Sequence, residues 1–437
     1  MKEISSYLNR LKFTIYAISF RLRMYFLRFW PIATSHIYVD SASVTTTDCS
    51  VLKAYVRASK KYIANPSSLH ALGVLAKKGL EDARSKVAGA IFAHPDELVF
   101  CGSGTEANNL AILGTIHGLK KVRNCNYSDL EVLVSGIEHV SVLGPVQKLE
   151  ELGVKVIKIP VLSNGSIDIE FLEKNITDKT ALISVMMVNN EIGVILPISE
   201  IAKIVRKVRK DRESRVENNS MPLFFHTDAS QAFLYKEIDT RKMGVDLITV
   251  DSHKIYGPRG LGLLWVKRNL VPILKVAPYV VGGHQEFGLR AGTEAVPTIV
   301  AFAHAIELGN KRRADDTEHV TKLRDYFVHQ LKNSLDTDSF KINGDGVVSE
   351  TVIPHILSVT FKKDAEIDHE ELLFRLDSAS IYVSTKSSCQ SDEDESYVLK
   401  QIGVKSGAIR FSFSKYNSKR QIARVVRVLV QILEKHY

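Results

Sequence analysis

Lys254 is the residue around which chemistry can be built. It lies in Asp251-Ser252-His253-Lys254-Ile255-Tyr256-Gly257-Pro258-Arg259-Gly260, with the apolar runs Leu247–Val250 before it and Leu261–Val266 after it. Apolar run, Gly/Pro cluster, apolar run predicts strand, tight turn, strand. A lysine fixed on such a turn suits Schiff-base chemistry, because burial and neighbouring cations or dipoles lower an amine pKa. Taken alone, a surface lysine in a hairpin is the commoner reading.

Other reactive or polar clusters follow apolar runs in the same way. Cys101-Gly102-Ser103-Gly104-Thr105-Glu106 follows Glu97–Phe100 and opens a helical pattern through about Leu119. Strand, Gly-rich turn and helix N-terminus form an anion-binding arrangement, although such turns are also common connectors. The turn is not G-x-x-x-x-G-K-[ST], so it does not indicate a nucleoside triphosphate. His139 stands between a strand around Val132–Val134 and a helix from about Ser141 to Leu152. Asn189-Asn190-Glu191-Ile192-Gly193 ends a strand over Ala181–Val188, and His226-Thr227-Asp228-Ala229-Ser230-Gln231 ends one over Leu223–Phe225.

The elements that must position these clusters alternate strand and helix from Ile37 to Val266. Nearly unbroken apolar strands in that alternation predict an α/β fold whose mostly parallel sheet is covered by helices. In such sheets ligands gather at the carboxyl ends of the strands, which is where the clusters fall. A helical pattern over Leu69–Ile91 is expected to start with Pro66, Ser67 or Ser68 at its cap. A long helix over Ala295–Leu335 connects to a smaller α+β part, with strands over Ile356–Phe361 and Ala408–Phe413 and helices over His369–Leu376 and Lys419–Lys435. The division expected is 1–36, a basic and apolar extension; 37–295, a large domain; and 296–437, a small domain with the connecting helix and a polar loop carrying Cys389.

At 437 residues, 45% hydrophobic and 24% charged, the chain has the composition of a globular protein. No run of 18 or more apolar residues occurs, so no transmembrane helix is expected. The net charge is +9, yet residues 1–36 hold six basic residues against one acid. The remainder needs no nucleic acid to explain it. The extension reads as a poorly ordered or packed segment, a membrane-surface helix, or a mitochondrial-type presequence. A secretory signal is disfavoured. The localisation expected is cytoplasmic, or mitochondrial if the extension is a presequence. Cys49, Cys101, Cys125 and Cys389 form no C-x-x-C pair, which argues against zinc, dithiol redox chemistry and a disulfide framework.

Lysine, Asp228, His139 and a phosphate-type turn together are what pyridoxal phosphate requires: a lysine Schiff base and an acid for the pyridinium nitrogen. Here the chain resembles the cysteine desulfurases, in the class V aminotransferase group of the fold-type-I pyridoxal-phosphate enzymes. The resemblance covers about residues 37–437. It rests on Asn65-Pro66-Ser67-Ser68, Gly104-Thr105-Glu106, Glu138-His139, Val188–Gly193, His226–Gln231, His253–Pro258, Arg290-Ala291-Gly292-Thr293 and Ala408-Ile409-Arg410-Phe411-Ser412, in order. It implies a seven-stranded sheet in the large domain, a homodimer, and conversion of L-cysteine to L-alanine with a persulfide formed on Cys389. The sulfur would pass to a protein acceptor in iron–sulfur cluster assembly or tRNA thiolation.

The resemblance also implies roles. Lys254 holds the cofactor covalently and then serves as general base at the substrate Cα. Asp228 pairs with the ring nitrogen, His139 stacks on the ring, and Asn190 and Gln231 lie near the ring hydroxyl. Gly104, Thr105 and His253 hold the phosphate, with Thr293 reaching in from a partner subunit. Asn65 and Arg410 bind the substrate carboxylate. No metal site is implied beyond Cys389 as a transient iron–sulfur ligand. Two departures stand out. Asp251 occupies the position of the family's phosphate-binding serine, so Ser252 is the candidate replacement, and an aspartate beside a phosphate is repulsive unless paired or turned away. Asp392, Glu393, Asp394 and Glu395 follow Cys389 and would raise a nearby thiol pKa or recognise a basic partner. The competing readings are another class V enzyme, such as a selenocysteine lyase, and a non-catalytic scaffold of the same fold.

Overall fold

Apolar runs become strands in the computed structural model, which describes residues 36–215, 220–336, 338–344, 350–361, 369–385, 396–405 and 407–434. In chain order the strands are β1 (Ile37–Tyr38), β2 (Leu98–Cys101), β3 (Glu131–Ser135), β4 (Lys155–Ile159), β5 (Thr180–Ser184) and β6 (Phe224–Asp228). They continue with β7 (Leu247–Asp251), β8 (Gly262–Val266), β9 (Phe340–Ile342), β10 (Ile356–Phe361), β11 (Ile381–Tyr382) and β12 (Ile409–Ser412). The large sheet has seven strands in the order β2-β8-β7-β6-β5-β3-β4. β7, β6, β5, β3 and β4 are mutually parallel in succession, and β8 runs antiparallel to both β2 and β7. Every residue of β2, β3, β5, β7 and β8 is buried, as a sheet with both faces covered requires. The mostly parallel α/β architecture expected from the sequence is therefore present.

A second sheet, β12-β10-β9, is antiparallel. β1 does not join the large sheet. It pairs in parallel with β11, Ile37 opposite Ile381 and Tyr38 opposite Tyr382. The helix Val296–Ser334 packs on Cys49–Lys61, Ala71–Ala90 and Lys419–Glu434. One hydrophobic cluster runs from Ile37 and Val39 through Phe225, Phe302 and Phe327 to Phe411 and Leu433.

Several boundaries move from their expected places. The helix expected from Leu69 begins at Ala71, because His70 is its cap: its Nδ1 accepts from Gly73 N at 3.3 Å. Pro66 and Ser67 lie before it. β5 stops at Ser184, where an expected strand continued to Val188; Val188 instead bridges to Ile195. β6 runs three residues further than expected and carries His226, Thr227 and Asp228 itself. Residues 1–35 and Cys389 with its acidic neighbours lie outside the described residues. Among the described residues no helix is long and apolar enough to cross a membrane.

One buried ion pair locks the loop before the long helix to the sheet. Arg84, in the helix Ala71–Ala90, donates to Glu286 Oε1 at 2.6 Å and Oε2 at 3.0 Å, and to Leu98 O at 2.8 Å. Glu286 Oε2 also accepts from Phe100 N at 2.8 Å. Both side chains are almost wholly buried. Arg84→Ala would leave that carboxylate without its cation, a loss of about 3–5 kcal/mol. Urea unfolding should show it as a lowered midpoint with an unchanged slope.

Candidate active site

Parallel topology brings the ends of β2, β3, β5, β6 and β7 to one edge of the sheet, and the polar clusters lie on that edge. Lys254 closes a short 3₁₀ turn, Ser252–Lys254, directly after β7. Its Nζ donates to Ala42 O at 2.7 Å and Ser43 O at 2.6 Å. The loop from Ser41 to Thr45 is held over the lysine from the other side too. Thr45 N donates to His253 O at 2.9 Å, and Thr45 Oγ1 accepts from Tyr256 N at 2.8 Å. Tyr256 takes φ +60°, a left-handed conformation disfavoured for an aromatic residue, and this turns the chain sharply two residues after the lysine.

Asp228 ends β6 with both carboxylate oxygens held. Oδ1 accepts from Ser230 N at 2.9 Å and Oδ2 from Asn108 Nδ2 at 2.8 Å. Asn108 also donates to Ser141 Oγ at 2.9 Å, and Ser141 Oγ lies 2.8 Å from His139 Nδ1. His139 caps the helix Val140–Glu151, its Nδ1 accepting from Ser141 N at 3.2 Å. An accepting Nδ1 puts the proton of the neutral ring on Nε2. Burial lowers the His139 pKa, against the opposing pull of the Asp228 carboxylate, so the ring is neutral near pH 7. The charges of Asp228, Lys254, Asp251 and Arg410 also act on it, so these groups lie near the imidazole. His226, one rung inside β6, bonds Ser184 Oγ at 2.9 Å and Thr249 Oγ1 at 3.1 Å; burial depresses its pKa to about 4, and it is a neutral tie between strands.

Gln231 Nε2 donates to Ala42 O at 2.8 Å, the same carbonyl that Lys254 uses. Gln231 Oε1 lies 3.1 Å from His355 Nε2. Burial pushes His355 down to about 3, so the imidazole is neutral, and with an amide oxygen as partner its Nε2 carries the proton. Arg410, on β12 and only 3% exposed, donates to Asn190 O at 2.8 Å, Asp40 Oδ1 at 2.9 Å and Ser43 Oγ at 2.6 Å. Asn190 itself is buried.

Lys254, His139, Asp228, Gln231, Asn190, His253 and Arg410 thus share the strand-end cleft. Gly104 joins them, but at its N–H the Asp251 carboxylate is the acceptor, at 2.7 Å. Ser252, expected to stand in at the phosphate, is fully buried, and its Oγ, which has no hydrogen-bond partner among the described residues, lies against Gly257, where an added Cβ would fall 2.3 Å away. Thr105, Asn65 and Thr293 are exposed; Asn65 Oδ1 accepts from Ser67 N at 2.9 Å, and none of the three bonds to the cluster among the described residues. Asn108, Ser141 and His355 are the members that sequence reasoning missed. Asn108 falls one helical turn after Gly104 and Ser141 two residues after His139, spacings that could have flagged both. His355 gives no local signal. Cys101 is buried and its thiol is pushed well up by burial, the behaviour of a packing residue.

Comparison with known proteins places this cleft in a family. The aminotransferase class-V profile matches residues 37–425. "Cysteine desulfurase IscS 1" of Archaeoglobus fulgidus is 34% identical over 403 residues, covering 91% of this chain and 97% of the relative. "Cysteine desulfurase, mitochondrial" of Candida albicans is 36% identical over 403 residues, covering 91% and 76%. Among solved structures, a "NifS-like protein" superposes with a TM-score of 0.79 at 31% identity, covering 92% of this chain and all of that one. "SspA in complex with cysteine" gives 0.71 at 28% identity, covering 87% and 100%. The chain belongs to the aminotransferase class-V family and, within it, to the cysteine desulfurases.

Enzymes of this family depend on pyridoxal phosphate. The donor set at the strand ends suits that group at its ring: a doubly held carboxylate for a pyridinium nitrogen, a neutral imidazole, and a lysine amine for the aldehyde. At the phosphate end one feature disagrees. The carboxylate of Asp251 already takes the Gly104 N–H and bonds His253 through both its backbone N, at 3.1 Å, and its Nδ1, at 2.5 Å.

Proposed function

We propose that this protein converts L-cysteine to L-alanine with pyridoxal phosphate bound at Lys254, leaving the sulfur as a persulfide on Cys389. The observation that carries the reading is that Asp228 ends β6, Lys254 follows the neighbouring β7, and Asn108 and Ser141 join Asp228 to His139, in a chain of this family. The net chemistry balances without an external oxidant: the C–S bond of cysteine breaks, an S–S bond forms on Cys389, and the β-carbon gains a proton to become the methyl of alanine.

When bound, the cofactor supplies an electron sink for the carbanion at Cα. Asp228 would keep the pyridine nitrogen protonated, its carboxylate aimed by Ser230 and Asn108. Lys254 Nζ would move the Cα proton once released from Ala42 O and Ser43 O. His139 offers a neutral ring with a donor on Nε2. Asn190 and Gln231 would line the ring hydroxyl, and Thr105, Gly104 and His253 the phosphate. Arg410, with Asn65, would hold the substrate carboxylate, taking it in place of Asp40. Arg410→Ala should raise the KM for L-cysteine roughly 10- to 100-fold, the value of a charge-assisted bond, with a smaller loss in kcat.

The division at residues 37–295 and 296–437 is part of this reading. So is pairing with a second copy: Leu52, Tyr55, Val56, Ile63, Leu69 and Leu72 leave an exposed apolar surface, and exposed Thr293 would serve the partner's phosphate. A protein acceptor for the persulfide in iron–sulfur assembly or tRNA thiolation, and a cytoplasmic site of action, belong to the same proposal. The test is direct. Protein supplied with pyridoxal phosphate and L-cysteine should release alanine and gain one sulfur atom at Cys389 by mass spectrometry. A protein that takes up no cofactor by visible absorbance and forms no alanine is instead the non-catalytic scaffold.

A further inference from the structure

Asp251 is a carboxylate in a place built for an anion. Its Oδ2 accepts from Gly104 N, at the start of a helix, at 2.7 Å. Its Oδ1 accepts from His253 N at 3.1 Å and lies 2.5 Å from His253 Nδ1. The fit is close: a Cβ on Gly104 would fall 2.7 Å from Asp251 Oδ2, and one on Gly262, where β8 begins, would fall 2.3 Å from Ser103 O. Both glycines are therefore required for the helix start to approach β7 and β8, and Asp251 fills what is left between them. The residue is 6% exposed. Burial alone would raise its pKa, but the His253 and Gly104 bonds outweigh that and hold it below the ordinary carboxylate range.

We propose that Asp251 acts as a resident anion in the phosphate cup, so that the cofactor's phosphate binds there only with a proton shared between the phosphate and this carboxylate. The proposal rests on the cofactor reading above. Two adjacent anions cannot both keep full charge in a buried site, and carboxylate pairs resolve this by sharing one proton. A phosphate ester has its second pKa near 6, so above that pH its dianion must take up a proton to bind. Cofactor affinity then falls as pH rises, and the fall belongs to the phosphate end alone. The charged and titratable groups near Asp251 are His253, on its own turn, and His139, on which the charges of Asp251, Asp228, Lys254 and Arg410 all act; the helix that starts at Gly104, capped by Ser103, carries Glu106. Glu106 is already paired with Arg290 at 2.7 Å.

Absorbance titration of the cofactor-free protein with pyridoxal phosphate and with pyridoxal, between about pH 6 and pH 8.5, separates these contributions. Pyridoxal lacks the phosphate, so the contributions of His139 and Lys254 enter both affinities and cancel in their ratio, while the contact of Asp251 with the phosphate enters one. In the wild type, affinity for pyridoxal phosphate relative to pyridoxal should fall about tenfold per pH unit above roughly pH 6.5, the slope of one-proton linkage. In Asp251→Asn and Asp251→Ser the ratio should be flat, with pyridoxal phosphate bound at least about tenfold more tightly than by the wild type at pH 8. Unchanged pyridoxal binding shows that the variants are folded. A wild-type ratio that ignores pH overturns the proposal. So does a slope that persists in both variants, which would assign the proton to His253. Failure of every form to bind either aldehyde overturns the cofactor reading, and this inference with it.

Discussion

Cys389→Ala is expected to stop alanine formation from L-cysteine, with kcat falling by about four orders of magnitude to background, while the visible absorbance of the bound cofactor is unchanged. The reason is the separation of tasks along the chain. The groups proposed to bind and activate the amino acid lie at the strand ends, and the thiol at the end of β2, Cys101, is buried and pushed well up by burial. A thiolate is the nucleophile the step needs, and Cys389, in a polar stretch of the sequence, is the thiol proposed for it. The expected signature is a split result: cofactor uptake and the spectral change on adding cysteine persist, and persulfide does not form. Alanine release at the wild-type rate would show that the sulfur leaves by another route.

Lys254→Ala is expected to lower kcat by about the same factor through a different failure. A positioned general base alone is worth roughly 10²- to 10⁴-fold, and this lysine would also anchor the cofactor. Borohydride should fix the cofactor to the wild-type chain at Lys254 and leave the variant unlabelled. The variant should retain the fold, since the bonds of Nζ to the loop carbonyls Ala42 O and Ser43 O are ones that solvent can replace. The two variants are thus separable by one spectrum: Cys389→Ala keeps the lysine-bound absorbance and Lys254→Ala loses it.

The sheet was legible because its strands are nearly continuous apolar runs that end abruptly in polar clusters, and β7 with its turn is the clearest case. The candidate side chains Lys254, Asp228 and His139 were legible for the same reason: a charged or titratable group at a strand end has few structural excuses; Arg410, inside β12, was reached only through the family resemblance. The supporting groups were not. Asn108 and His355 are uncharged at neutral pH, and their partners lie 120 and 124 residues away, at Asp228 and Gln231. No local pattern encodes such contacts. β1 and β11 are two residues each, too short for alternation to show, and they come from opposite ends of the described chain. The direction of the Asp251 side chain follows from the bare backbone at Gly104 and Gly262, which is a property of three segments meeting and not of any one of them.

The bridge between Ser384 and Arg410 sets a leash. Ser384 exchanges backbone bonds with Arg410, its carbonyl accepting from Arg410 N at 2.6 Å. At the other end, Ser396 donates to Glu191 Oε2 at 2.6 Å, next to Asn190, whose carbonyl also binds Arg410. The stretch carrying Cys389 therefore leaves and returns beside one arginine. Cys389 is five residues past Ser384, and five residues of fully extended chain span at most about 17 Å. With Cys389 as the proposed sulfur carrier, delivery would be bounded by that radius: an acceptor would have to present its receiving atom within reach of a thiol tethered at Ser384.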